Sequence, residues 1–358
     1  MSKIQYALIG FGGIAENRIA KEGFARDKAR FDASPAEYEL LGACDVNPAR
    51  REAAEALGLF WYPDVEALLA DPKVDAVYIA TNNTTHAPLA EKALRAGKHV
   101  LLEKPLAPTV AEAESVSKLA VEKGLSLGVD HMMVHNKLNR FARELVAQGK
   151  LGAVNDSCFH MEFAYGFTPE EAATWRCANV AELGGPIGDV ASHCFYMAEF
   201  IFGKKIDALA AVYYPKTLGI EAEDGAYIRF KMDGELAGSL RVAFSELRGG
   251  LGGTLSNLGY ELYGNEAVLR SFGSMFQLSG YPDEPVPMRL ELDRFSSQET
   301  ITLADVPTPN IYQEMIRCHA LSIIEKKPLD GSDGLRNVRL CYAAHQSAHS
   351  GGKWVEIN

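Results

Sequence analysis

The chain opens with an apolar strand that runs directly into a glycine-rich turn. Residues 4–9 read Ile-Gln-Tyr-Ala-Leu-Ile, and residues 14–21, beyond the turn, are compatible with a helix. In such a unit the glycines permit a tight turn and a close approach of pyrophosphate, while the helix N-terminus offers N–H groups and a positive dipole end. A purely structural strand–turn–helix is the alternative. The order of the elements predicts a dinucleotide site formed by Gly10, Phe11, Gly12, Gly13, Ile14 and Ala15.

Length and composition indicate a globular protein of two domains. A chain of 358 residues is too long for one ordinary core, and a hydrophobic content of 47% with 23% charged residues is typical of soluble proteins. The net charge of −11, with no basic run, argues against nucleic acid and anionic membranes as partners. No apolar run is long enough to span a membrane.

The six cysteines are scattered, which fits free thiols in a reducing cytoplasm. We therefore expect a cytoplasmic protein. A zinc site would have to draw on residues whose spacings match no structural zinc pattern, so no metal is predicted. Those residues are Cys158, His160, Cys177, His193 and Cys194.

The first third of the chain alternates strand and helix signals. This alternation predicts a doubly wound parallel sheet in an N-terminal domain over residues 1–130. The predicted strands are 4–9, 39–44, 74–80, 99–102 and 125–129, and the predicted helices after the first are 48–57, 86–96 and 108–123.

Strand signals dominate beyond residue 150 and predict a large, mainly antiparallel sheet. With helices at 137–148, 309–326 and 334–349, residues 131–358 form a C-terminal α/β domain, whose last helix is free to pack back on the first domain. Residues 246–257 are predicted as a loop, and 354–357 as a last short strand. The ligand is expected in the cleft between the domains. The other predicted strands are 153–162, 206–214, 225–232, 236–244, 259–263, 267–270, 287–293 and 298–302.

Asp45 ends the second strand, where an acid hydrogen-bonds the adenosine ribose of a dinucleotide. Its carboxylate would repel a 2′-phosphate, so NAD is predicted rather than NADP. Arg50 and Arg51 lie close by in sequence and could still accommodate a 2′-phosphate. The alternative for Asp45 itself is a plain turn acid with no role in binding. Residues 22–38 are interpreted as an insertion that lengthens the spacing from the glycines.

Two further strand ends carry polar side chains that are expected to face the cofactor. Thr81, Asn83 and His86 follow the third strand, although His86 is equally suited to cap the helix that begins there. Glu103 and Lys104 follow the next strand. An ammonium at this point can orient a substrate hydroxyl or take part in proton transfer, and a merely exposed lysine is the alternative.

Asp189 and His193 form a second group of candidate site residues. They lie at i and i+4 of a predicted helix over 190–202, so both point to one face. A carboxylate and an imidazole held together suit proton removal from a hydroxyl, and a satisfied core histidine is the alternative.

Four landmarks in this order resemble the glucose–fructose oxidoreductase, inositol dehydrogenase and rhizopine-catabolism family (Gfo/Idh/MocA). They are the opening glycine turn, residues 80–100, Glu103-Lys104-Pro105 and residues 184–193. The resemblance covers essentially the whole chain. It implies a Rossmann domain, a second domain whose open sheet forms a homodimer or homotetramer contact, and hydride transfer between NAD(P) and a secondary alcohol.

The resemblance also implies roles for individual residues. Lys104 matches the lysine that contacts substrate and nicotinamide, and its bond to Pro105 is expected to be cis. Asp189 matches the acid that binds the substrate hydroxyl, His193 matches the proton acceptor, and Trp175 with Arg176 match a pair beside the substrate. The chain departs from the family at Met197, where an aspartate is common, and at residues 130–135, where an aromatic–arginine pair is common.

The sequence therefore predicts a dehydrogenase acting on CH–OH groups of a polyol, sugar or glycoside. Two alternatives stay open. A retained NAD could oxidise a sugar transiently and so allow glycoside cleavage, or the chain could be a non-catalytic sensor of dinucleotide or sugar.

Overall fold

The computed structural model describes residues 3–31, 34–178, 182–234, 236–246, 256–272, 288–302 and 310–357, with residues 178, 256–258 and 302 described by their backbone only. The chain divides into two compact units. The first contains Met1–Met132 and Pro309–Val338, and the second contains Met133–Thr308 and Arg339–Asn358. The sequence analysis assigned all residues from 131 onward to a second domain, whereas residues 309–338 group with the first unit.

The first unit is built on a six-stranded parallel sheet in the order β3-β2-β1-β4-β5-β6. The strand order reverses between β1 and β4, which is the place where doubly wound sheets bind ligands. The predicted doubly wound parallel sheet is thus confirmed. The strands are β1 (Ile4–Ile9), β2 (Tyr38–Cys44), β3 (Phe60–Trp61), β4 (Ala76–Ile79), β5 (His99–Leu102) and β6 (Leu127–Val129).

Helices connect these strands, and short polar side chains begin several of them. The Asp64 side chain accepts the Ala67 N–H, and the Thr109 hydroxyl accepts the Glu112 N–H. The first helix, expected over 14–21, spans Ala15–Gly23 and is π-helical. The others are a 3₁₀ turn (Pro48–Arg50), α1 (Arg51–Ala56), α2 (Val65–Ala70), α3 (Asn83–Arg95) and α4 (Val110–Lys123).

The second unit is built on a nine-stranded sheet in the order β14-β13-β12-β11-β7-β10-β9-β8-β15. Each described pair is antiparallel except β7 with β10, so the mainly antiparallel open sheet is confirmed. The strands are β7 (Val154–Phe163), β8 (Ile206–Tyr213), β9 (Gly225–Met232), β10 (Leu236–Ala243), β11 (Ser256–Gly264), β12 (Ala267–Phe272), β13 (Arg289–Arg294), β14 (Ser297–Thr302) and β15 (Val355–Glu356). The predicted loop at 246–257 lies largely outside the described residues, and its last two residues belong to β11.

Alternation along the strands forms the core of this unit. In β9, Ile228, Phe230 and Met232 are buried while Tyr227 and Lys231 are exposed, which is the period of two expected of a sheet with one packed face. The helices after α4 are a 3₁₀ turn (Met132–His135), α5 (Lys137–Ala147), α6 (Pro169–Ala172), α7 (Trp175–Ala178), a π-helical turn (Ile187–Ala191), α8 (Ser192–Phe202), α9 (Ile311–Ile324) and α10 (Ser332–His349).

Helix α9 returns to the first unit and packs against β1 and the π-helix Ala15–Gly23. The hydroxyl of Tyr6 lies 2.6 Å from Nδ1 of the buried His319. The amide of Asn310, just before α9, donates to Glu22 at 2.9 Å. These buried polar contacts fix α9 and the residue before it to the strand that precedes the glycine turn and to the π-helix that follows it.

Candidate functional site

The glycine turn has the shape that a dinucleotide needs. Gly10 has φ +90°, and a Cβ there would lie 2.5 Å from the carbonyl oxygen of Ala80, so no side chain fits. By contrast, a Cβ at Gly12 or Gly13 would meet no heavy atom within 4 Å, and both residues are exposed. The turn is therefore closed against β4 on one side and open where a pyrophosphate would lie. The space at Gly10, Gly12 and Gly13 is compatible with a bound dinucleotide.

Asp45 is oriented by two backbone groups. Its Oδ2 accepts the Phe11 N–H at 2.6 Å, and its Oδ1 accepts the Asn47 N–H at 2.8 Å. Each carboxylate oxygen keeps a further lone pair for another donor. The structure thus brings the predicted ribose acid against the glycine turn, although 34 residues separate it from Phe11.

Both nearby arginines are engaged by carboxylates. Arg50 forms an ion pair with Glu16 and donates from Nε to the Phe11 carbonyl at 2.7 Å, with its guanidinium 5.8 Å from the centroid of the Phe11 ring. Arg51 pairs with Glu55 at 2.8 Å. A 2′-phosphate would have to compete with these carboxylates for either guanidinium.

His86 is not a helix cap, because α3 begins at Asn83 with Asn82 as its N-cap. The side chain is fully buried, with Nδ1 2.7 Å from the Pro105 carbonyl oxygen and Nε2 3.2 Å from that of Thr81. Burial lowers the pKa of His86, so the imidazole is neutral at physiological pH. The imidazole joins the segments that follow β4 and β5. Asn83 is buried as well, whereas Thr81 is half-buried.

The Glu103–Lys104 turn rests on a buried polar cluster that the sequence analysis missed. The Tyr78 hydroxyl donates to Asp130 at 2.7 Å and lies 3.2 Å from Glu103. Burial, followed by the charge of Glu103, raises the pKa of Asp130 well above its usual range. The position of Asp130 directly after β6 is the sequence feature that could have marked it, because ligands bind beyond the carboxyl ends of parallel strands. Lys104 itself is half-buried, and its peptide bond to Pro105 is cis, as predicted.

In the second unit, Asp189 and Arg176 are in contact. Arg176 Nε lies 3.0 Å from Asp189 Oδ2, and Asp189 is only 6% exposed. The pKa of Arg176 is raised, and the charge of Asp189 is the largest of several causes. The guanidinium also lies 4.9 Å from the Trp175 ring centroid and 5.8 Å from that of Tyr165. The predicted site residues Trp175, Arg176 and Asp189 therefore lie together. Tyr165, which was not predicted, lies beside the same guanidinium.

His193 lies in the first turn of α8 and is almost fully buried. The predicted helix over 190–202 begins earlier, at Ile187, and Asp189 belongs to its π-helical turn. A π-helical turn spans more residues than an α-helical one, and such turns occur often at functional sites. The hydroxyl of Tyr196 lies 2.8 Å from Nδ1 of His193.

Met197, the departure from the family pattern, lines an interior cavity together with Met133, Met288 and Phe159. Because Met133 belongs to the other departure, at residues 130–135, two atypical positions meet in one apolar packing site.

Glu223 is a further residue that the sequence analysis missed. Its Oε1 accepts the Ile187 N–H at 2.8 Å, at the start of the segment that carries Asp189 and His193. A Cβ at Gly185, where φ is +72°, would lie 2.6 Å from Glu223 Oε2. Burial raises the pKa of Glu223 to about 7. No local sequence pattern marks this glutamate, because its partner is 36 residues away.

Within the described residues, no three His, Cys, Asp or Glu side chains cluster as metal ligands. In the part of the chain that the structure describes, helices are too short or too polar to cross a bilayer. All six cysteines are free thiols.

Comparison with known proteins gives a family match within each of the two units. Residues 4–131 match the family model of an oxidoreductase family with an NAD-binding Rossmann fold, and residues 139–270 match the GFO/IDH/MocA C-terminal domain. A 1,5-anhydro-D-fructose reductase from Ensifer adhaerens is 30% identical over 207 residues, which are 57% of this chain and 59% of the relative. The chain thus matches less than two thirds of that relative's length.

Two solved structures share the fold. A levoglucosan dehydrogenase in complex with NADH and levoglucosan superposes with a TM-score of 0.81 at 22% identity, covering 99% of this chain and 100% of that one. A variant of a 3-ketoreductase from Actinomadura kijaniata, in complex with TDP-benzene and NADP, gives 0.80 at 20% identity, covering 97% and 98%. One therefore holds NADH and the other NADP. With a dinucleotide-binding Rossmann unit and the matching C-terminal domain, the chain belongs to the Gfo/Idh/MocA oxidoreductase family.

Proposed function

We propose that this protein is an NAD-dependent oxidoreductase that transfers a hydride between the nicotinamide and a secondary hydroxyl of a sugar, cyclitol or glycoside. The observation that carries the proposal is the pairing of buried Asp189 with Arg176 on the turn that leads into His193. Buried charged and titratable side chains are costly and cluster at functional sites. The family membership and the names of the relatives, which act on sugars or sugar derivatives, point the same way.

The proposed roles follow from the chemistry of each side chain. In oxidation, His193 accepts the hydroxyl proton, because an imidazole can take up and release a proton near neutral pH. Asp189, held by its ion pair with Arg176, accepts a hydrogen bond from the substrate. Lys104 orients the substrate hydroxyl, and Trp175 provides an apolar face. The bound cofactor supplies the hydride acceptor, and the protein supplies position and charge.

NAD is proposed over NADP on two grounds. The Asp45 carboxylate, fixed by the Phe11 and Asn47 N–H groups, would accept hydrogen bonds from ribose hydroxyls and repel a 2′-phosphate. Arg50 and Arg51 are each paired with a glutamate, which would compete with that phosphate for the guanidinium. Thr81, Asn83 and Glu103 complete the proposed cofactor set.

The test is NADH formation at 340 nm over a panel of sugars, cyclitols and glycosides, with His193→Gln and Lys104→Met as variants. Both variants should lose at least about 100-fold in turnover, as expected for loss of an acid–base group, while NAD still binds. Unchanged turnover in both would overturn the assignment. Product formed without added cofactor, from protein purified with NAD, would favour the glycoside-cleaving alternative. NAD binding with no turnover on the whole panel would favour the sensor.

We also propose a homodimer or homotetramer that contacts through the open face of the nine-stranded sheet, and a cytoplasmic location. Tyr227 and Val212 are half-exposed apolar side chains on this sheet, and the free thiols fit a reducing compartment. Light scattering of Tyr227→Asp against the unaltered protein tests the interface. An unchanged molar mass would argue against it.

A further inference from the structure

The imidazole of His193 is fixed by another side chain of its own helix. Tyr196 follows three residues later on α8, one helical turn away, and its hydroxyl oxygen lies 2.8 Å from His193 Nδ1. The two rings meet edge to face, with centroids 5.5 Å apart and planes at 73°. Tyr196 is 8% exposed and His193 is 2% exposed, so both rings are held by packing.

This contact restricts which ring nitrogen can exchange a proton with a substrate. A neutral imidazole carries one N–H, and the hydrogen bond made by one nitrogen decides the chemistry left to the other. If Nδ1–H donates to the phenol oxygen, Nε2 keeps its lone pair and can accept a proton. If the phenol donates to Nδ1 instead, Nε2 carries the hydrogen and cannot act as a base.

We propose that Tyr196 is a positioning residue that holds His193 as the Nδ1–H tautomer and leaves Nε2 as the proton acceptor. The inference rests on the proposed function of His193. In oxidation the substrate O–H bond breaks and an Nε2–H bond forms, while the carbinol C–H electron pair leaves as hydride to the nicotinamide. The imidazolium then carries hydrogen on both nitrogens, and its Nδ1–H still donates to Tyr196. In reduction the proton returns from Nε2 to the substrate oxygen.

The neighbouring Met197 lies against a different part of the unit. Tyr196, at i+3, contacts the imidazole, whereas Met197, at i+4, lines the interior cavity with Met133 and Met288. The methionine at this position therefore leaves the contact between Tyr196 and His193 in place.

The chain offers a matched control for this contact. The Tyr213 hydroxyl lies 2.7 Å from His345 Nδ1 in the same unit, so Tyr213→Phe removes the same kind of hydrogen bond from a histidine with no proposed catalytic role. Tyr196→Phe removes only the hydroxyl and keeps the ring that packs in α8.

The first readout is long-range ¹H–¹⁵N NMR of ¹⁵N-histidine-labelled protein, with the His193 signals assigned by their loss in His193→Gln. In the unaltered protein His193 should carry hydrogen on Nδ1 and a lone pair on Nε2. Tyr196→Phe should shift it towards the Nε2–H form, and Tyr213→Phe should not. Because the unaltered protein already reports its tautomer, an Nε2–H signal there overturns the inference even if Tyr196→Phe fails to fold.

The second readout is steady-state turnover with NAD and the sugar of highest activity in the panel. Tyr196→Phe should lower kcat about tenfold or more with KM values nearly unchanged, because a misdirected tautomer weakens proton transfer rather than ground-state binding. If His193→Gln abolishes turnover but Tyr196→Phe keeps kcat, only this inference fails. If His193→Gln itself keeps full turnover, the proposed function of His193 fails, whatever the tautomer.

Discussion

Replacement of Asp45 by asparagine should change the cofactor preference of this protein. Asp45 accepts the Phe11 N–H on Oδ2 and the Asn47 N–H on Oδ1. An asparagine of the same size has one carbonyl oxygen, so its NH₂ group would face one of these two donors. We expect one backbone hydrogen bond to be lost, at a cost of about 1 kcal/mol.

The proposed bonds to the ribose would weaken as well. Bonds to a charged group are worth about 1 kcal/mol more than neutral ones, so two ribose hydroxyls would lose about 2 kcal/mol together. The lost backbone bond exists with and without the cofactor, so its loss lowers folding stability rather than affinity. The ribose contribution of about 2 kcal/mol corresponds to roughly a 30-fold rise in the Kd for NAD. Removal of the carboxylate also removes repulsion against a 2′-phosphate, so the Kd for NADP should rise much less or fall.

Isothermal titration with NAD and with NADP measures both constants directly. Asp64→Asn is the control, because Asp64 also accepts a backbone N–H, from Ala67, but lies at the start of α2. The control should leave the ratio of the two Kd values unchanged, while Asp45→Asn should shift it at least about 30-fold towards NADP. A ratio for Asp45→Asn within threefold of the unaltered protein would refute the reasoning.

Three further changes test other parts of the structure. Gly10→Ala should lower the free energy of unfolding by about 2–4 kcal/mol, because of its positive φ and the overlap with the Ala80 carbonyl, whereas Gly12→Ala should leave it nearly unchanged; equal urea midpoints would contradict this. Arg176→Met should cost about 1–3 kcal/mol, since it leaves the buried Asp189 without its cation, and unchanged stability together with an unchanged KM for substrate would count against the pair. Burial raises the pKa of Glu223 from 4.5 to about 7, so the folded state binds this proton more tightly than the unfolded chain does, and stability is lost as the pH rises between those values. In the unaltered protein, the free energy of unfolding from urea titrations should fall by about 2–3 kcal/mol over that pH window because of this group, and Glu223→Gln should not show that fall. Identical pH profiles for the two proteins would refute the prediction.

The sheet of the first unit could be predicted because its strands are short apolar runs separated by helix-length segments. Buried parallel strands need no alternation, so runs such as residues 76–79 are distinctive. The π-helical form of residues 15–23 could not be predicted, because apolar spacing over two turns does not separate 3.6 from about 4.4 residues per turn.

Candidate site residues could be proposed from the sequence where a strand end marks them, as at Asp45 and Lys104. The partners of these residues were not, since they depend on contacts between distant segments. Tyr78 meets Asp130 across 52 residues, and Glu223 meets Ile187 across 36. Tyr196 is the exception, because residues three apart on a helix are neighbours and its contact with His193 could have been predicted from the spacing.

The buried imidazole of His86 has a consequence for redesign of the cofactor site. It contacts the carbonyl oxygens of Thr81 and Pro105, and burial keeps it neutral at physiological pH. Since a neutral imidazole carries one hydrogen, the ring donates to one of these carbonyls and packs against the other. The ring therefore lies between the segment that follows β4 and the turn that carries Lys104, and a shift of either backbone should displace it. Substitutions at 81–85 made to alter cofactor choice would also disturb the proposed substrate lysine, so the two segments have to be varied together.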